Sequence, residues 1–132
     1  MMHLQIVLRS LIQDEGLSTA QYYLLRVLWK EEGLSQRELS ERVCTTEPTT
    51  QSALLRMEKQ GFVKRVRNKT DRRANHIYLT AKGRKLEAKI IPFAIDINDM
   101  ASNGITKKNL KMFSKIIHKI RANVMAEIRS ND

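Results

Sequence analysis

Thr45, Thr46, Thr49, Gln51 and Ser52 are short polar side chains within one stretch of chain, and Arg56 follows Ser52 by about one helical turn. Hydroxyls and amides of this size can approach base edges or phosphate oxygens, and Gln51 can bond an adenine edge at two places. A guanidinium such as Arg56 can clamp a phosphate. Farther on, Arg72 and Arg73 stand in the polar stretch Asn68 to Arg73, just after the basic run Lys64-Arg65-Val66-Arg67. Residues 35 to 85 hold 13 Lys and Arg against 5 Asp and Glu, a net of +8, whereas residues 1 to 34 carry −1 and residues 86 to 132 carry +3. Most of the chain's +10 therefore lies on the segment that holds these groups, as contact with a phosphate backbone would require. Cations that merely keep a surface soluble would be spread more evenly.

Two short helices and a hairpin must position these groups. Ser35-Gln36-Arg37-Glu38 is a capping box: the Ser hydroxyl takes the amide three residues on while Glu38 reaches back to the cap amide. Leu39 and Val43, four apart, give this helix an apolar face. A second helix is expected from Thr46-Glu47-Pro48, which combines a capping hydroxyl, an acid at the positive helix end and a proline in the first turn. It should run through Ala53, Leu54 and Met57 to a left-handed stop at Gly61. A gap of three or four residues between the two suits a helix-turn-helix whose second member enters a major groove. Beyond Gly61 the pattern turns extended, with Phe62 to Arg67 as a strand, Asn68 to Arg73 as a loop and His76 to Leu79 as a return strand. A hairpin with a cationic tip beside a helix-turn-helix is a wing.

The flanks read as helices. Leu4, Val7, Leu8, Leu11 and Ile12 recur at helical spacing in a first helix. Ser18-Thr19-Ala20-Gln21 is a further capping box, opening a helix that carries Leu24, Leu25, Val27 and Leu28 to Glu32 and stops at Gly33. Thr80 caps a long helix with Leu86, Ile90, Phe93, Ala94 and Ile97, which Pro92 should kink and Gly104 should end. Thr106 caps the last helix, along which Leu110, Phe113, Ile117, Ile120, Val124 and Ile128 step by three or four and approximate a heptad seam. Such a seam needs a partner. Two copies joined through their first and last helices would hold two reading helices about 34 Å apart, one turn of DNA, as an inverted repeat requires. The expected fold class is mainly α with a small β-hairpin wing (α+β), a winged helix-turn-helix with N- and C-terminal dimerisation helices. A single domain, 1–132, is expected, with 1–17 and 86–132 for dimerisation and 18–85 for DNA; the recognition helix falls at about 47–60 and the wing at about 62–80.

Composition excludes other classes. A hydrophobic content of 42% and a charged content of 29% are those of an ordinary folded domain. The longest apolar run, Ile90 to Ile95, contains Pro92, so no segment is expected to span a membrane, and no secretory leader is visible. A cytoplasmic location is expected, and a single cysteine suits a reducing compartment. Cys44, at the end of the first reading-head helix, is expected to be a buried, inert thiol and not a redox sensor. His3, His76 and His118 are far apart and show no ligand spacing with Cys44 or the carboxylates, so no metal is expected. No nucleophile, base and orienting acid cluster, and no glycine-rich phosphate loop occurs; neither enzymatic activity nor a cofactor is expected.

Three stretches resemble the multiple antibiotic resistance regulator (MarR) family: Leu17 to Leu25, LSTAQYYLL; Pro48 to Val63, PTTQSALLRMEKQGFV; and Asp71-Arg72-Arg73-Ala74 followed by Ile77-Tyr78-Leu79-Thr80-Ala81-Lys82-Gly83. With the order of helices, the resemblance covers almost the whole chain. It implies a sequence-specific DNA-binding transcriptional regulator, a homodimeric repressor of an inverted-repeat operator. It further implies that Arg73 enters a minor groove, where a planar guanidinium suits narrow A·T-rich geometry, and that Asp71 holds Arg56 in an ion pair that fixes the wing against the recognition helix. Position 52 is Ser where many family members carry a basic residue, so base preference does not transfer. The first helix is shorter than usual for the family, and Met1-Met2 are consistent with a late start. Family members sense a small, often aromatic or phenolic anion between the dimer helices and the reading head. Tyr22, Tyr23, Trp29 and Phe93 would line that crevice here, with Arg9 or Arg26 as anion partners; the competing reading of these aromatics is core packing. Two other functions stay open at this point: a winged-helix scaffold for protein association, and a nucleoid-type DNA binder without sequence preference.

Overall fold

The structure, a computed structural model, describes residues 9–10, 12–70 and 75–130. Helix α1 is described at residues 9–10 and 12–14. Of the apolar set expected along it, Ile12 is fully buried, while Leu4, Val7, Leu8 and Leu11 lie outside the described residues. Helix α2 spans Thr19–Leu28 behind the expected capping box: Ser18 Oγ accepts the Gln21 amide at 3.3 Å, and Gln21 Oε1 accepts the Ser18 amide at 2.9 Å. It ends at Leu28, short of the expected Glu32, because the chain must unwind to join a sheet. Gly33, at φ +77°, donates its N–H to Ile77 O at 2.8 Å, and the next two residues form strand β1, Leu34–Ser35.

Helix α3, Gln36–Arg42, and helix α4, Glu47–Lys59, follow, with four residues between them, and β2, Val63–Arg67, and β3, Asn75–Leu79, complete the head. The strands pair antiparallel in the order β1-β3-β2, with Val63 opposite Leu79, Arg67 opposite Asn75 and Leu34 opposite Ile77. The expected hairpin is thus the larger part of a three-stranded sheet. Where β1 runs out, the Glu32 carboxylate takes the place of a strand carbonyl: it accepts the Leu79 amide at 2.7 Å and pairs with Arg84 at 2.9 Å. Leu25, Leu28, Leu39, Leu54, Met57 and Ile77, from α2, α3, α4 and the sheet, are almost wholly buried together. Burial of each contributes on the order of 2 kcal/mol against exposure.

Helix α5, Ala81–Ala101, starts on Thr80, whose Oγ1 accepts the Gly83 amide at 3.1 Å and donates to the carbonyls of Gly61 and Phe62. One hydroxyl therefore ties the start of α5 to the exit of α4. Helix α5 runs through Pro92, which has no N–H to offer Ala88. Helix α6, Lys107–Ser130, opens on Thr106, whose Oγ1 accepts the Asn109 amide at 3.2 Å. The chain divides into two compact units, residues 1–97 and 98–132. Among the described residues no helix is long and apolar enough to cross a membrane.

Candidate nucleic-acid interface

Helix α4 buries Thr50, Ala53, Leu54 and Met57 and leaves Thr49, Gln51, Ser52, Leu55, Arg56 and Lys59 exposed. At about 100° per residue, Pro48, Ser52, Leu55 and Lys59 form the stripe opposite the buried face. Gln51 flanks it on one side, and Thr49 and Arg56 on the other. Thr46 caps the helix: its Oγ1 accepts the Thr49 amide at 3.4 Å and shares a 2.8 Å bond with Thr49 Oγ1. Thr45 is exposed in the turn before it. The outermost stripe includes Leu55, 47% exposed, an apolar residue outside the polar set expected to meet DNA. Its spacing was the available signal, since it stands three residues after Ser52 and four before Lys59.

The turn into α4 corrects the expectation for Cys44, whose side chain is exposed and whose backbone lies at φ +55°. Its amide bonds Glu41 O at 3.3 Å and the Thr45 amide bonds Ser40 O at 3.0 Å, the two-bond closure of a helix that requires a left-handed residue between them. The apolar residue that packs against the core at this helix end is Val43, one position earlier. At the other end of α3 the Ser35 amide donates to Glu38 Oε2 at 2.7 Å and the Glu38 amide donates to Ser35 Oγ at 3.2 Å. The Ser35 backbone donor, then the Ser35 side chain, hold the Glu38 carboxyl below its ordinary pKa.

In the wing, Arg65 Nε on β2 pairs with Glu58 Oε2 on α4 at 2.9 Å, both side chains being about three-quarters buried. This pair joins the wing to the recognition helix and was not visible in the sequence, because no motif marks a partner across two elements. The proposed brace of Arg56 by Asp71, and Arg72 and Arg73 themselves, involve residues outside the described set; among the described residues Arg56 makes no ion pair. Asn68 Oδ1 accepts from the Thr70 amide at 3.0 Å, and its Nδ2 lies 3.3 Å from His76 Nε2 on the return strand. The solvent side of the hairpin carries exposed Lys64, Val66, Arg67 and Lys69.

The aromatic candidates divide. Tyr22, 2% exposed, is a core side chain, and burial raises its hydroxyl pKa against the lowering effect of Arg26, whose guanidinium lies 5.9 Å from the ring centroid. Trp29 meets Tyr22 edge-on and donates its Nε1–H to Gly83 O at 3.0 Å, bracing α2 against the start of α5. Tyr23 and Phe93 are exposed. Arg9 lines a groove of about 570 Å³ with Gln13, Leu17, Thr19, Arg56 and Lys59, and none of the four aromatics lines it.

A capped helix pair, an exposed and largely polar face on the second helix and a hairpin whose first strand is basic define a winged helix-turn-helix DNA-binding protein. The MarR family model matches residues 17–74. The HTH-type transcriptional regulator TtmR of Methylorubrum extorquens (strain PA1) is 43% identical over 82 residues, which are 62% of this chain and 42% of TtmR. The crystal structure of transcriptional regulator PA3341 matches with a TM-score of 0.82 at 30% identity, over 94% of this chain and 91% of that one. A MarR-family regulator from Silicibacter pomeroyi matches with a TM-score of 0.81 at 27% identity, over 92% and 82% of the two chains. The chain belongs to the MarR family and is a transcriptional regulator of the winged-helix kind. It spans less than half the length of TtmR.

Proposed function

We propose that the chain works in the cytoplasm as a homodimeric repressor that binds an inverted-repeat operator and is released by a small aromatic or phenolic molecule, or by a stress signal. The observation that carries this reading is the face of α4, where Thr49, Gln51, Ser52 and Arg56 stand exposed while Thr50, Ala53, Leu54 and Met57 are buried. In this reading residues 18–85 engage DNA: Thr45 and Thr46 meet phosphate at the turn, α4 lies in a major groove, Arg72 and Arg73 carry the wing tip to a minor groove, and Asp71 braces it. Residues 1–17 and 86–132 serve dimerisation. Support for a dimer comes from α6, which has no buried residue and holds Phe113, Ile117, Ile120, Val124 and Ile128 exposed at near-heptad spacing. A dimer on a promoter excludes polymerase without further parts, so repression is the economical output. Effector release follows when the ligand binds more tightly to a dimer whose reading helices no longer match successive grooves. Arg9, Arg26, Tyr23 and Phe93 offer exposed contacts to such an anion; Tyr22 and Trp29 would act from within the packed helices.

The test is a titration of the purified protein on its own upstream DNA and on scrambled DNA of equal length, at two salt concentrations. Preference for the upstream DNA that survives the higher salt is the expected result. Equal binding to both, erased by salt, would replace this reading with nucleoid-type association, and no binding at either salt would leave protein association as the function.

A further inference from the structure

We propose that Gln51 and Leu55 together read one A·T-containing step of the operator, Gln51 through the adenine edge and Leu55 through the 5-methyl group of thymine. The inference rests on the operator-binding reading above and adds a specificity-determining residue to it. The two residues stand four apart, so their side chains are neighbours on one side of α4's exposed face. Leu55 is 47% exposed within a stripe otherwise made of Pro48, Ser52 and Lys59, in the middle of a helix whose other large apolar residues, Leu54 and Met57, are fully buried. Fold stability does not use the outer half of this side chain.

A major groove presents one apolar group to such a side chain. A G·C pair presents there the guanine N7 and O6, the cytosine amino group and only a bare C5–H, so a leucine would strip water from the polar groups without replacing their hydrogen bonds; the thymine methyl has none to lose. An adenine paired with or next to that thymine offers N7 and N6–H to an amide, which is the chemistry of Gln51. Leu55 therefore disfavours G·C at its position as much as it favours thymine. Read in this way, a recognition helix without an early arginine gains its base preference from an amide and a methyl contact, and its affinity from the surrounding cations.

The test uses the full-length protein and the operator fragment obtained from the upstream DNA. Each thymine is replaced in turn by uracil, which removes only the methyl group, symmetrically in both half-sites, and affinity is read by fluorescence anisotropy. The expected result is one symmetric position at which uracil weakens wild-type binding by about threefold to tenfold. Leu55→Ala should bind the thymine and uracil duplexes at that position equally. At the adenine paired with or adjacent to that thymine, 7-deazaadenine should weaken the wild type and leave Gln51→Ala unaffected. Unchanged far-UV circular dichroism and salt slope for Leu55→Ala would show that the fold and phosphate contacts persist. A wild type that prefers operator over scrambled DNA yet ignores every uracil overturns the inference and leaves the operator reading standing, as does Leu55→Ala retaining the uracil penalty. Failure to prefer operator DNA at all removes both.

Discussion

Glu38 accepts the Ser35 amide at the positive end of α3, and the bond holds its carboxyl below the ordinary 4.5. A carboxyl depressed in the folded state stabilises the fold fully above its unfolded value, and that contribution is lost as pH falls through the folded value. Wild-type stability should therefore fall more steeply than that of Glu38→Gln as pH is lowered through and below about 4.5. Urea midpoints at a series of pH values measure this, and parallel curves would remove the charge from the cap. Cys44 is strained in a different way, since a β-carbon at φ +55° crowds its own backbone. Cys44→Gly should raise stability by about 0.5–1 kcal/mol, the relief exceeding the added freedom of the unfolded chain, whereas Cys44→Ala, which keeps the β-carbon, should change little. Equal midpoints for the two variants would mean that the strain is not felt. Both capping boxes were legible in the sequence because all their bonds span three residues. The exposure of Cys44 was not, because the choice between Val43 and Cys44 as the buried residue turns on where α3 stops, and that is set by the two closing bonds.

Helix α5 passes close to the exit of α4. A β-carbon on Gly83 would stand 2.1 Å from Phe62 O, a backbone atom that cannot swing aside, and Trp29 bonds the Gly83 carbonyl from the other side. Gly83→Ala should cost about 3 kcal/mol or more, at the upper end of overpacking effects. Gly104→Ala is the contrasting case: nothing lies within 4 Å of its β-carbon, so only its φ of +80° opposes the change, at about 1 kcal/mol. Denaturant midpoints that moved equally would show that the close approach relaxes freely. A glycine in a helix start reads in sequence as a weak propensity, and nothing local reveals a carbonyl from twenty-one residues earlier. The same limit hid β1, whose two residues carry no alternation, and the Glu32 bond that extends its edge. Helices α3 and α4 and the hairpin were legible because caps, period and turn residues are all local signals.

At the scale of the whole molecule, α6 is 24 residues long with no buried side chain, and Ile120, 53% exposed, lies in the middle of its apolar seam. The heptad-like spacing was readable along the sequence; what covers it cannot be read from one chain. If two copies meet there, Ile120→Glu places a like charge opposite itself across the two-fold axis, with no cation guaranteed to answer it. Sedimentation velocity should then show a monomer where the wild type is a dimer. Loss of the dimer has a definite consequence for DNA. Two heads held one turn apart bind the second half-site at an effective concentration of about millimolar, so separating them should weaken operator binding by about a hundredfold or more. Each head keeps its own contacts, so a single half-site should bind wild type and Ile120→Glu alike. A variant that stays dimeric would place the interface off this seam. One that becomes monomeric yet binds the full operator as tightly as the wild type would show that the two half-sites are read independently, and the inverted repeat would then have no role in affinity.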